Sequence, residues 1–342
     1  MEKGLSYDDV LLVPQYSTLE SRSDVDLTTR LVKNVYIRTP ILSANMDTIT
    51  ELTMAIAMHV VGGIGVIHRF MSCDYQAMMV RKLASLTPYN LAAIGVHKED
   101  KDRADQLVQA GLWGFVVDVA HGDSLLCNQM VSYLKKFYPD HPVIAGNVAT
   151  YDGTKRLIDS GADGIKVGVG SGSVCSTRII TGCGVPQLTA IMMCSAACEG
   201  TDVTIIADGG IRNSGDLVKA LAAGANSVMI GNLFAGTEET PGEIVVIDGK
   251  KFKSYRGMAS RGAMDSRSTL TKDYNHFNTT PEGVEVLVPF KGTVMEIIND
   301  LSGGIRSGMS YCGADTIREL QDHPDFVEIT NAGRIESEIH NV

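Results

Sequence analysis

The chain has 342 residues, 44% hydrophobic and 20% charged, a composition that excludes intrinsic disorder and supplies enough apolar residues for a large core. Forty acidic residues against 30 basic ones give a formal net charge of -10, which argues against a nucleic-acid or anionic-membrane partner. A phosphorylated small molecule is compatible with this charge, because backbone amides hold a phosphate locally.

The N-terminal residues carry no apolar signal core. The longest apolar stretch, 54–67, contains His59 and three glycines and is too short to span a bilayer, so a cytoplasmic protein without membrane contact is expected. Seven cysteines, at 73, 127, 175, 183, 194, 198 and 312, show neither zinc nor disulfide spacing and read as reduced thiols.

From residue 40 onward one unit recurs: a short apolar run, an end containing Gly, Asn or Asp, and a helix-length amphipathic segment. The runs are 40–45, 63–68, 91–96, 115–119, 142–147, 164–169, 204–209 and 227–231. Near-continuous apolar runs of this kind suit a parallel sheet covered on both faces. Eight βα units predict a TIM (β/α)8 barrel, one α/β domain over 1–342, with its active site at the C-terminal strand ends. The segment 100–111 ends on a glycine placed to cap a helix. An open doubly wound sheet is the structural alternative, but no G-x-G-x-x-G opens a helix after the first strand. Beyond the eighth unit, 243–255 reads as a hairpin turning at Asp248-Gly249. The polar run from 265 to 280 makes 240–300 an expected mobile flap over the active site.

Chemistry concentrates after the sixth strand, where 168–177 reads Gly-Val-Gly-Ser-Gly-Ser-Val-Cys-Ser-Thr. Gly168, Gly170 and Gly172 let the backbone approach a ligand closely. A lone cysteine is most often an inert buried thiol, but Cys175 stands at the face where barrel enzymes keep catalytic groups. The other six cysteines fall in helical or peripheral segments and read as inert. Gly209-Gly210 after the seventh strand and Gly231-Asn232 after the eighth occupy the usual barrel phosphate position, and Asp208 is placed to accept from ribose hydroxyls.

These stretches resemble the IMP dehydrogenase/GMP reductase family along nearly the whole chain. The matching segments are 7–14, 45–48, 145–148, the cysteine loop, 207–210, 255–258, 303–307 and Glu336-Ser337. The resemblance implies covalent attachment of Cys175 to carbon two of a purine nucleotide, with a nicotinamide cofactor exchanging hydride there. It implies nucleotide contacts from Ser43, Met46, Ser173, Asp208, Gly210, Gly231, Tyr255, Gly257, Met258 and Glu282. Asp118, Asn147, Gly168 and Gly170 would lie toward the cofactor. Thr177 and Glu282 are the expected proton-transfer pair. A homotetramer is implied, as is a potassium ion held at Gly170, Gly172 and Cys175 with Glu336 of the partner subunit. Ser171 departs from the family's usual proline, and a looser loop is expected there.

Within the family, several features resemble the reductase branch. Residues 68–91 leave no room for the CBS-type insert common in dehydrogenases, Asn45 precedes Met46, and Val119 follows Asp118. The Arg-Tyr pair with which dehydrogenases activate water has no counterpart between 265 and 282, where Lys272-Asp273-Tyr274 is the nearest approach. The expected reaction is NADPH-dependent reductive deamination of GMP to IMP and ammonia. The alternative is an IMP dehydrogenase lacking its insert, favoured by Tyr255-Arg-Gly-Met258 and by 332–337. Barrel isomerases and flavin enzymes share the strand-end glycines but would not require Cys175 in this loop.

Overall fold

The computed structural model describes residues 3–270 and 280–339, so Lys272, Asp273, Tyr274 and His276 of the expected flap lie outside the described residues. Eight parallel strands close into a barrel: β1 (Ile41–Ser43), β2 (Ile64–Ile67), β3 (Leu91–Ile94), β4 (Gly114–Asp118), β5 (Val143–Val148), β6 (Gly164–Val167), β7 (Thr204–Asp208) and β8 (Ser227–Ile230). Each strand pairs with its sequence neighbours, and β8 closes on β1 through Val228–Ile41, Met229–Leu42 and Ile230–Ser43. All eight fall within or against the apolar runs expected from the sequence. Ile41, Leu42, Ile67, Leu91, Ile94 and Phe115 are fully buried, as strands covered on both faces require.

The surrounding helices are α1 (Leu52–Val60), α2 (Cys73–Ala84), α3 (Glu99–Gln109), α4 (Leu125–Phe137), α5 (Tyr151–Asp159), the short α6 (Thr177–Thr181), α7 (Gln187–Cys198) and α8 (Ser214–Ala222). Their starts follow the sequence chemistry. Ser72, Ser124, Thr150 and Asn213 each accept a backbone N–H from three residues on, at the starts of α2, α4, α5 and α8. Each such cap is worth about 1 kcal/mol. The helix expected at 100–111 runs Glu99–Gln109, with Gly111 at φ +93° just past it. No helix among the described residues is long and apolar enough to cross a membrane.

The region after β8 is more regular than expected. The hairpin forms as β9 (Val245–Ile247) and β10 (Lys250–Arg256), turning through Asp248 and Gly249, both at positive φ. A third strand, β11 (Glu285–Pro289), pairs antiparallel with β10, setting Tyr255 opposite Val286 and Arg256 opposite Glu285. Helix α9 (Arg261–Leu270) covers the first residues of the polar run. The long helix α10 (Val294–Tyr311) then packs on α8, its start closed by a Thr293–Glu296 capping box.

Candidate active site

The C-terminal strand ends open into a cavity of about 520 Å³. Its wall includes the loop after β6, the ends of β4, β7 and β8, and Tyr255, Gly257 and Met258 from the β10 end.

Cys175 is an exposed free thiol on this wall. Its thiol donates to Thr177 Oγ1 at 3.1 Å, while its backbone N–H donates to the Gly172 carbonyl at 3.1 Å. The loop is tied to the segment that carries Glu282. Ser176 N–H donates to the Glu282 carbonyl at 2.9 Å, Val284 N–H donates to the Val174 carbonyl at 3.0 Å, and Cys175 and Gly283 form a β-bridge. Cys175 and Thr177 therefore line one cavity with Glu282, which lies far from them in the chain.

Backbone geometry explains the glycines here. Gly170 sits at φ +73°, and a Cβ there would come within 2.5 Å of Arg178 Cγ. Arg178 in turn braces the loop, donating to the Val169 and Val185 carbonyls at 3.2 and 2.6 Å. Ser171 donates to the Asp208 backbone carbonyl at 3.0 Å. The loosening expected from the missing proline is thus offset by a hydrogen bond that proline could not make.

At the cavity floor lies a residue the sequence reading did not single out. Lys166, on β6, is only 2% exposed. Its ammonium reaches Asp118 Oδ1 at 2.8 Å, Asp208 Oδ2 at 2.7 Å and Asn147 Oδ1 at 2.5 Å. Asn147 also donates to Asp208 Oδ2 at 2.9 Å and to the Gly168 carbonyl at 2.7 Å. Burial alone would raise the Asp118 pKa, but Lys166 and Arg69 hold the carboxyl below its ordinary value, with hydrogen bonds from Lys166 and Asn45 adding to this. Burial opposes the Lys166 charge too, yet the two carboxylates carry its pKa above the ordinary lysine value. Arg69, also on the wall, donates to the Asp118 carbonyl at 3.2 Å, lies 4.9 Å from the Phe70 ring centroid, and keeps its Nε buried without a hydrogen-bond partner.

Most expected site residues meet at the cavity: Met46, Ser173, Asp208, Gly210, Gly231, Asn232, Tyr255, Gly257 and Met258, with Asp118, Asn147, Gly168, Gly170 and Gly172. Tyr255 is almost fully buried, which raises its pKa, and its hydroxyl lies 3.3 Å from Ser173 Oγ. Gly231 permits a close approach, since a Cβ there would lie 3.2 Å from both Met46 Sδ and the Tyr255 hydroxyl. Two expectations do not join the cavity. Ser43 is completely buried and accepts from the Thr50 hydroxyl at 2.8 Å, so its side chain serves the strand end. Glu336 ends a short exposed helix, Asn331–Glu336, away from the cavity wall of its own chain. Among the remaining cysteines, burial pushes Cys127 and Cys198 up to about 12 and Cys194 up to about 11. Cys183 departs from the inert pattern in being exposed.

Comparison with known proteins agrees with this geometry. The family described as "IMP dehydrogenase / GMP reductase domain" matches residues 4–340. The inosine-5'-monophosphate dehydrogenase of Cryptosporidium parvum is 43% identical over 387 residues, covering 99% of this chain and 96% of its own length. The GMP reductase of Leishmania donovani is 35% identical over 480 residues, covering 100% of this chain and 98% of its own. A crystal structure of a cysteine-to-alanine variant of Trypanosoma brucei GMP reductase, in complex with guanosine 5'-monophosphate, superposes with a TM-score of 0.93 at 34% identity, covering 100% of this chain and 98% of that one. The longer alignment belongs to a relative named reductase and the shorter to one named dehydrogenase, so lack of an insert does not separate the two branches. On the strength of a match over nearly its full length, the chain belongs to the IMP dehydrogenase/GMP reductase family of purine-nucleotide oxidoreductases.

Proposed function

We propose that the protein is a GMP reductase, converting GMP to IMP and ammonia with NADPH. The observation that carries this reading is the sequence of 265–281, which contains no adjacent Arg and Tyr to activate water for hydrolysis of a cysteine adduct. Asn45, the reductase-like residue, supports it: buried at the cavity wall, it hydrogen-bonds the cofactor-side carboxylate Asp118. The likeness to a GMP reductase solved with GMP supports it further.

In this reading Cys175 Sγ bonds to carbon two of the purine, and the bond from that carbon to the amino nitrogen breaks. Thr177 and Glu282 deliver the proton with which the nitrogen leaves as ammonia. NADPH, when bound, supplies the hydride that carbon two accepts. The bond between Cys175 and carbon two then breaks, releasing IMP and the thiolate. Asp208 orients the ribose, and Gly210, Gly231 and Asn232 present backbone to the phosphate. The residues present suit a nicotinamide cofactor, because Arg69 keeps a buried donor unused beside an aromatic ring and the Asp118 carboxylate. Potassium at the cysteine loop is proposed on the same footing. The Gly172 carbonyl already accepts the Cys175 N–H but retains a second lone pair.

The dehydrogenase reading has its own support, because the Cryptosporidium dehydrogenase is more similar in sequence than the Leishmania reductase. Turnover with GMP and NADPH, measured beside IMP and NAD, separates the two.

A further inference from the structure

Lys166 carries a positive charge inside the barrel, where an unpaired ammonium would be strongly disfavoured. Its partners come from different strands: Asp118 ends β4, Asn147 lies near the end of β5, and Asp208 ends β7. One nitrogen thus sits within hydrogen-bond distance of two carboxylates and a side-chain amide. Asp118 and Asp208 also line opposite functions of the proposed site, one toward the cofactor and one toward the nucleotide ribose. Without a cation between them, two close carboxylates in a poorly solvated site would not both stay charged, and the pair would hold a proton.

We propose that Lys166 is a positioning residue, the shared counter-ion that keeps Asp118 and Asp208 both available as hydrogen-bond acceptors and so joins the nucleotide and cofactor halves of the cavity floor. The inference rests on the reading of Asp208 as the ribose acceptor. Other groups around the cluster do not replace the lysine. Arg69 acts on Asp118 from the β2 side and donates to its backbone carbonyl. Tyr7 and Tyr255 sense Asp208 and bring no positive charge.

The test is calorimetric binding of GMP and IMP, without cofactor, to the full chain and to K166M, K166R and the double variant K166M/D118N. The reading is the ratio of variant to wild-type Kd from about pH 6 to about pH 9, which cancels titration of the nucleotide itself. For K166M this ratio should be largest at low pH and fall on the order of tenfold per pH unit as the shared proton is lost. K166R should show a flat ratio, because a guanidinium is also a permanent cation. The double variant, with the like charge gone, should lose most of the pH dependence of K166M and should fold even if K166M does not. A K166M ratio near one throughout would overturn the proposal. So would a pH-independent loss shared equally by all three variants, or a double variant that fails to fold, since either assigns the lysine to packing alone. If the wild type binds neither nucleotide, the ribose reading itself falls and takes this inference with it.

Discussion

The Ser176 backbone N–H donates to the Glu282 carbonyl at 2.9 Å, fastening the cysteine loop to the segment that leads into β11. This bond and the Cys175–Gly283 bridge place Cys175 and Glu282, the proposed nucleophile and proton-transfer carboxylate, by main-chain pairing. Main-chain pairing thus ties the position of the cysteine loop to that of the 280s segment.

Replacing Cys175 with Ser should abolish turnover and leave the fold alone. The thiol is exposed, so stability should change by less than about 0.5 kcal/mol. A hydroxyl at this position lacks a thiolate's nucleophilicity, and kcat should fall by ~10³-fold or more. Near-wild-type turnover of the variant would remove the covalent route.

Asp208→Asn should weaken GMP and IMP binding by about 1.5–3 kcal/mol, the worth of a charge-assisted hydrogen bond. Equilibrium titration reads this directly. Unchanged affinity for both nucleotides would place the ribose contact elsewhere.

The Asp118 carboxyl contributes an acid limb to stability. Its pKa is lowered in the fold, so its contribution is present above the ordinary carboxylate value, about 4, and is lost as pH falls through the lower folded value. Lys166 is shifted upward, so its contribution is complete below about 10.4 and is lost only as pH rises through the higher folded value. Urea midpoints of the wild type should fall on acidification below about pH 4, and Asp118→Asn should flatten that limb. An identical acid profile in the variant would contradict the assignment.

Arg256 links three segments around the cavity. Its guanidinium meets Asp47 at 2.5 and 3.1 Å and Ser266 at 3.2 Å, and its backbone N–H donates to Thr48 Oγ1 at 3.3 Å. Asp47 follows Met46, and Gly257 and Met258 follow Arg256, so the pair sets two walls relative to each other. Arg256→Met should cost about 1–2 kcal/mol of stability and raise KM for the nucleotide more than it lowers kcat. Equal loss in both parameters would argue against a positioning role.

The barrel was legible because strands covered on both faces must be apolar almost throughout, and eight such runs recur between residues 40 and 231. Cys175, in the loop after β6, and Asp208, at the end of β7, were expected at the strand-end face, and both line the cavity. Lys166 was not: in Gly-Ile-Lys-Val a lysine resembles a solvent-facing residue, and its partner Asp208 is 42 residues away. Ser43 shows the converse, a residue carried over by resemblance whose hydroxyl is held in the core by Thr50. Strand β11 was obscured because its sequence follows the polar run and its residues are mostly exposed, leaving no buried periodicity to detect.

The direction of the reaction is tested most directly by following nicotinamide absorbance in two parallel reactions, GMP with NADPH and IMP with NAD. In the proposed mechanism both directions share the bond between Cys175 and carbon two, so only the fate of the adduct separates them. Oxidation leaves an adduct that water must hydrolyse, and loss of a positioned acid–base group costs ~10²–10⁴-fold in such steps. A GMP reductase should consume NADPH with GMP, release ammonia and IMP, and show negligible NAD reduction with IMP. Steady formation of XMP from IMP and NAD, with no NADPH oxidation in the presence of GMP, would contradict it.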